Sequence, residues 1–177
     1  MLLENKNIYL RALEPKDLDF LYQTENNPEV WHISNTQTPF SKFALKQYIE
    51  RSLSEDIHSL KELRLVICKI DDSSPIGLID LFDFDPKNKR AGIGILISDP
   101  NNRGLGYASQ TLETLIDYAF NILNLHQLYC NIIADNQKSI HLFSKYNFEF
   151  VGTKKDWILD NETWKDELLF QLIKPNF

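Results

Sequence analysis

One stretch constrains this chain more than any other. Ile93-Gly94-Ile95-Leu96-Ile97-Ser98 is an apolar run of strand type, Asp99-Pro100-Asn101-Asn102 are turn residues, and Arg103-Gly104-Leu105-Gly106-Tyr107-Ala108 leads into a helical pattern with Ala108, Leu112, Leu115, Ile116, Ala119 and Leu123 along one side. The order is strand, glycine-rich turn, helix. A helix's first turn leaves backbone N–H groups without partners at the positive end of the macrodipole, and Gly104 and Gly106 let a phosphate approach that backbone. Arg103 adds a full positive charge. The ligand this implies carries a phosphate or diphosphate.

Spacing narrows the choice. A nucleoside-triphosphate loop needs Gly-x-x-x-x-Gly-Lys-Ser/Thr, and no lysine and hydroxyl follow Gly106 in that order. A dinucleotide fingerprint needs a third Gly or Ala where Ser109 stands, and the first acid closing the next strand, Asp135, comes later than that fingerprint expects. What is left is Arg103-x-x-Gly106-x-Ala108.

The remaining chain reads as scaffold. Strands are expected over 7–13, 64–70, 76–84, 90–98, 126–133, 150–159 and 164–173, and helices over 15–24, 41–53, from Ala108 to Leu123, and over 136–146. Short polar connections make the second to fourth strands an antiparallel meander, whereas the helix after the loop demands a parallel crossover to 126–133. The expectation is an α/β (α+β) fold with a mixed sheet of about seven strands and four helices. With 177 residues, 43% of them hydrophobic, the chain is sized for a single domain over 1–177.

Charge and composition exclude several classes. A net charge of −6 argues against a nucleic-acid partner, which needs a basic surface. No apolar run is long enough for a bilayer and no leader pattern opens the chain, so a cytoplasmic location with no membrane contact is expected. Cys68 and Cys130 lie in apolar strand patterns without metal-ligand spacing and read as reduced core residues, and no metal is expected.

Arg103-x-x-Gly106-x-Ala108 resembles the acyl-CoA diphosphate loop (Arg/Gln-x-x-Gly-x-Gly/Ala) of the GNAT N-acetyltransferases. Further along, Asn136-Gln137-Lys138-Ser139-Ile140-His141-Leu142-Phe143-Ser144-Lys145-Tyr146-Asn147-Phe148 is similar to that family's Asn-x-x-Ala/Ser-x-x-Leu-Tyr-x-Lys-x-Gly-Phe segment. The opening segment, from Ile8-Tyr9-Leu10-Arg11 to Leu18, is similar to the branch that holds the ribosomal-protein N-terminal and spermidine acetyltransferases. The resemblance implies a GNAT-like fold with a splayed central strand pair, acetyl-CoA as cosubstrate, and direct attack by a primary amine in a ternary complex. It assigns CoA contacts to Ile95, Leu96, Ile97, Arg103, Gly104, Leu105, Gly106, Tyr107, Ala108, Asn136, Ser139 and Phe143. The acceptor is expected near Trp31, His32, Asp80 and Asp83. A small-molecule or peptide amine is the expected partner, and the reading leaves room for a homodimer.

Acetyl transfer needs an oxyanion donor, a base and a leaving thiolate. A strand N–H among residues 95–97, with Ile97 the candidate, is placed to serve the oxyanion, and Asp80 is the candidate base with Asp83 beside it. Phe143 stands where the family carries its acidic tyrosine, which leaves Tyr146 as the nearest substitute. Gly92 stands where relatives often have glutamate, and Gln37 and Thr38 align with paired glutamates of spermidine acetyltransferases. A peptide amino terminus (pKa about 8) is easier to present neutral than an alkyl amine (about 10.4). A peptide or small amine therefore leads, with spermidine or a diamine as the alternative and a non-catalytic acyl-CoA-binding module as the reading from another class.

Overall fold

The computed structural model describes residues 3–34 and 36–175, the side chains of His32 and Ile33 excepted. Within this range β1 (Ile8–Ala12), β2 (Leu63–Lys69), β3 (Pro75–Asp85), β4 (Arg90–Ile97), β5 (Gln127–Ile133), β6 (Glu149–Asp160) and β7 (Thr163–Ile173) form one sheet in the order β1-β2-β3-β4-β5-β7-β6. The helices are α1 (Leu18–Glu25), α2 (Pro28–Ser34), α3 (Lys42–Ser54), α4 (Ile57–Leu60), α5 (Tyr107–Asn121) and α6 (Gln137–Lys145). All pairings are antiparallel except β4 with β5, which the crossover through α5 makes parallel.

Helices cover both faces of the sheet, and the sequence reflects it. In β2, Leu65, Val66, Ile67 and Cys68 are all buried: Leu65 and Ile67 belong to the core under α5, Val66 and Cys68 to the core under α1 and α3. A strand covered on both sides has no polar face, so its apolar run does not alternate. The stripe of α5 places Leu112, Leu115, Ala119 and Phe120 against Ile79, Leu81 and Ile93. Each such leucine, fully buried, contributes about 1.5–3 kcal/mol.

Helix number is where the expectation falls short. The helix expected over 15–24 ends before Asn26-Asn27-Pro28, and these residues start another: the Asn27 side chain accepts from the Glu29 amide at 3.0 Å, with Pro28 pre-set for the first helical position. Residues 28–34, which fall between the helices expected over 15–24 and 41–53, thus form α2. The short α4 is capped by the Asp56 side chain on the Ser59 amide. The helix expected from Pro15 opens instead as a 3₁₀ turn, Pro15–Asp17, before α1.

The feature that matters for function is a gap. β4 and β5 are paired only at Arg90 with Gln127, Ala91 with Leu128 and Gly92 with Tyr129. Beyond that point β4 stays paired with β3 as far as Ile97 opposite Gly77, and β5 with β7 as far as Ile133 opposite Glu167. Each strand is held from its outer side while the inner edges diverge. The result is a wedge-shaped slot with unpaired backbone groups on its walls, widest toward the start of α5.

Candidate active site

At the wide end of the slot lies the glycine turn. Asp99 accepts from the Asn101 amide at 2.8 Å, a 3₁₀ turn follows at Pro100–Asn102, and Gly104 and Gly106 take φ of +75° and +84°. Gly106 is the N-cap of α5, and no side chain caps that helix. A left-handed glycine with no side chain of its own leaves the first-turn amides facing outward, so the positive helix end is open to an anion. Arg103 is folded beneath the turn: its Nε donates to the Ile97 carbonyl at 3.1 Å and its Nη2 to that of Ser98 at 3.3 Å. The guanidinium thus pins the turn to the end of β4 while keeping its charge beside the amides. Leu105, 59% exposed, is at the tip.

The wall of the slot follows from the same strand. Ile95 and Leu96 are half-buried and Ile97 is buried; Ser98 donates to the Ile76 carbonyl on β3, so by alternation Leu96 also faces β3 while Ile95 and Ile97 face the inner edge, which has no strand partner there among the described residues. Across the slot, Cys130 is buried and its thiol is pushed up to about 12 by that burial, which keeps it protonated and rules it out as a nucleophile.

At the narrow end the sheet face opposite α5 carries the polar residues. A Cβ on Gly92 would lie 2.3 Å from the Phe82 ring, so Gly92 is where that ring closes over the last β4–β5 pair. Phe82 meets the Tyr129 ring edge to face at 5.8 Å, and the Tyr129 hydroxyl donates to Asp83 Oδ2 at 3.1 Å. Burial, with the Asp83 carboxylate adding to it, pushes the Tyr129 hydroxyl up to about 12. Asp83 sits at a bulge between Phe82 and Asp85, with φ +49°. Asp80, opposite Gly94, is held differently: Arg64 Nε and Nη2 each donate to one of its oxygens at 2.8 Å. The same guanidinium reaches Glu25 at 2.5 Å and lies 5.4 Å from the Tyr48 ring centre. Burial opposes the Arg64 charge, but Asp80 and Glu25 hold it above the ordinary arginine value.

Two cavities open on this face. One, of about 560 Å³, is lined by Asp83, Asp85, Arg90, Gln127, Tyr129 and Gln171, with Val151 and Leu169. The other, of about 350 Å³, lies under α2 and α3 and includes Glu25, Ser34, Tyr48, Glu62 and Arg64. Trp31 does not line either; its Nε1 donates to the Glu25 carbonyl at 2.9 Å and ties α2 to the end of α1. The His32 side chain lies outside the described residues.

Helix α6 flanks the slot from the other side. Asn136 caps it by accepting from the Ser139 amide at 3.2 Å. Phe143 is buried, 5.0 Å from the Phe148 ring. The Tyr146 hydroxyl is 3.0 Å from Ser109 Oγ, to which Lys145 Nζ also donates at 2.9 Å. Tyr146 therefore joins α6 to the first turn of α5.

The structure thus brings Ile95, Leu96, Ile97 and the 103–108 turn together along one slot, and sets Asp80 and Asp83 near its closed end. Sequence reasoning missed Arg64, Glu25, Phe82, Tyr129 and Arg90. One signal was available: Gly92 in mid-strand implied a bulky neighbour, and Phe82 is that neighbour.

Comparison with known proteins agrees with this geometry. The GNAT acetyltransferase domain family matches residues 7–149. A spermidine N(1)-acetyltransferase of Vibrio cholerae is 29% identical over 176 residues, covering 98% of this chain and 96% of that protein. The crystal structure of spermidine N-acetyltransferase from Vibrio cholerae in complex with CoA and spermine superposes with a TM-score of 0.86 at 27% identity, covering 96% of each chain. A further structure of that enzyme is described as dodecameric, with a TM-score of 0.80 at 27% identity, covering 96% of this chain and 95% of that one. An uncapped, glycine-led helix at the mouth of a splayed strand pair, in a chain matched over most of its length, makes this protein a member of the GNAT family and an acetyl-CoA-dependent N-acetyltransferase.

Proposed function

We propose that the 103–108 turn holds the diphosphate of acetyl-CoA, that its pantetheine arm enters between β4 and β5, and that a primary amine meets the thioester at the Gly92–Tyr129 end. The observation that carries this is the loss of β4–β5 pairing beyond Gly92, directly in line with the uncapped α5. Arg103, Gly104, Leu105, Gly106, Tyr107 and Ala108 serve the diphosphate; the backbone groups of Ile95 and the Ile97 amide bond the arm, with Leu96, whose own backbone groups face β3, between them; Asn136 and Ser139 border the mouth; and Phe143 packs behind it.

In the reaction the amine nitrogen attacks the thioester carbonyl carbon. Of the strand N–H groups expected at residues 95–97, that of Ile95 is nearest the Gly92 end and stabilises the oxyanion, whereas Ile97, about 16 Å from Gly92 along β4 at strand rise, lies beside the arm; the C–S bond breaks, and CoA leaves as thiolate. The amine proton passes to a carboxylate and on to solvent, and the thiolate takes a proton from solvent. Both Asp80 oxygens accept from Arg64, so Asp80 receives a proton only by giving up one of those bonds. That favours Asp83 as acceptor of the proton and Asp80 as a fixed negative charge. Tyr146 is engaged with Ser109, which supports a packing role. A thiol's pKa of about 8.5 makes a dedicated acid worth only the low end of the ~10²- to 10⁴-fold range.

The acceptor in this proposal is a small primary amine or a peptide amino terminus, beside Asp80 and Asp83; Trp31, tied to the Glu25 carbonyl and outside both cavities, is left out of this placement, and the His32 side chain lies outside the described residues. Spermidine is the second reading, favoured by the relatives named above. Self-association is part of the proposal, supported by the exposed Phe150, Val151, Trp157, Leu159 and Trp164 of β6 and β7. A cytoplasmic setting is supported by the free, buried Cys68 and Cys130, and no helix among the described residues is long and apolar enough to cross a membrane. Incubation with acetyl-CoA and an amine panel is expected to release CoA, and Phe143→Tyr to raise turnover. Binding of CoA with no release above buffer in either protein, across peptides, small amines and polyamines, favours the non-catalytic module.

A further inference from the structure

The larger cavity offers more than a place for an amine. It begins at the closed end of the slot, where Tyr129 faces Gly92, and extends along β4 and β5 to Arg90 and Gln127. Its volume of about 560 Å³ suits a small ligand, the usual range being ~300–1,000 Å³. Its charges are few and ordered. Among the described residues, the Tyr129 hydroxyl is the one hydrogen-bond partner of Asp83, so this carboxylate has oxygen lone pairs to offer a cation beside the reacting end.

Asp85 is occupied: it bonds the Asn88 amide and side chain and pairs with Arg90 Nη2 at 3.2 Å. Arg90 is 49% exposed, and a guanidinium carries five N–H donors, so the edge turned from Asp85 remains a carboxylate-binding fork. Arg90 stands two residues along β4 from Gly92, about 7 Å away at strand rise. The Gln127 and Gln171 side chains, bonded to each other, supply neutral amide groups between.

A polyamine brings two or more ammonium groups and gains from a row of uncompensated carboxylates. This cavity supplies one, Asp83, and places a guanidinium next to it. We propose that it is the acceptor subsite and that it selects a zwitterion: an α-amino acid whose amine lies against Asp83 and whose carboxylate is taken by Arg90. The inference rests on the acetyl-transfer reading above and adds the class of acceptor.

The test uses the full chain with acetyl-CoA and compares α-amino acids, the matching amino-acid carboxamides, short peptides and spermidine. Amino acids are expected to exceed their carboxamides in kcat/KM by about tenfold or more, the usual worth of a hydrogen-bonded charge pair. Arg90→Gln erases that preference by raising KM for the amino acid well beyond any change for the carboxamide, and Arg90→Lys restores part of it. Asp85→Asn, which loosens the same ion pair but keeps the guanidinium, leaves the preference in place. Spermidine as the best acceptor, or an Arg90→Gln loss shared equally by amino acid and carboxamide, overturns the zwitterion subsite but not the transferase. No transfer to any amine by a protein that binds CoA overturns both.

Discussion

Gly106 is the residue on which the anion site turns. At φ +84° it sits where a β-branched side chain is strained by about 1–3 kcal/mol, and the strain would fall on the amides that face the diphosphate. Gly106→Val is therefore expected to weaken CoA binding by about tenfold or more, measured by titration calorimetry, because each 1.4 kcal/mol is tenfold. An unchanged affinity contradicts the assignment. Gly106 was legible in the sequence because glycine just before a helical pattern has few other reasons to be there. The acid–base residues were less legible. Asp80 and Asp83 are both aspartates on one strand, and only the fold shows that Arg64, sixteen positions before Asp80, occupies one of them while Tyr129 touches the other.

At the scale of elements, the corner from β1 into α1 decides where Glu25, and through it Arg64, is held. Asp17 is 3% exposed; both its oxygens accept from Arg11, at 2.6 and 2.7 Å, and it also accepts from the Glu14 amide. Burial works against its charge, but Arg11 and the Glu14 amide overcome it and hold its carboxyl below the ordinary range. A group whose folded pKa is depressed contributes stability above its unfolded pKa, about 3.9, and loses it as pH falls toward the folded value. Asp17→Asn is expected to lower stability near neutral pH by ~3 kcal/mol, leaving Arg11 without its partner, with the gap to the parent narrowing below about pH 4. Urea unfolding at several pH values measures this; a gap of constant size across that range contradicts it. The strands of this region were readable because their apolar runs are continuous. Helix α2 was not, because Asn27 acts through a cap whose partner, Glu29, is polar and non-periodic.

The whole molecule is a sheet braced at both edges and open in the middle. β3 holds β4 and β7 holds β5, so each wall of the slot is fixed from its outer side. That could be foreseen only through resemblance, since nothing in Ile93–Ile97 or Gln127–Ile133 as isolated strings says that two parallel strands stop pairing after three residues. The exposed Trp157, Leu159 and Trp164 on the outer hairpin belong to the same scale. Sedimentation at micromolar concentration is expected to show an oligomer, and Trp157→Lys with Trp164→Lys to shift it toward monomer; a parent chain that sediments as a monomer contradicts self-association through this hairpin.

The most direct test of the central claim is a crystal structure of the protein with CoA bound. The expected result is the diphosphate within hydrogen-bond distance of the backbone amides of residues 104–109 and the sulfur between β4 and β5 beside Gly92 and Tyr129. Diphosphate density away from the start of α5, or a sulfur outside the slot, contradicts the account.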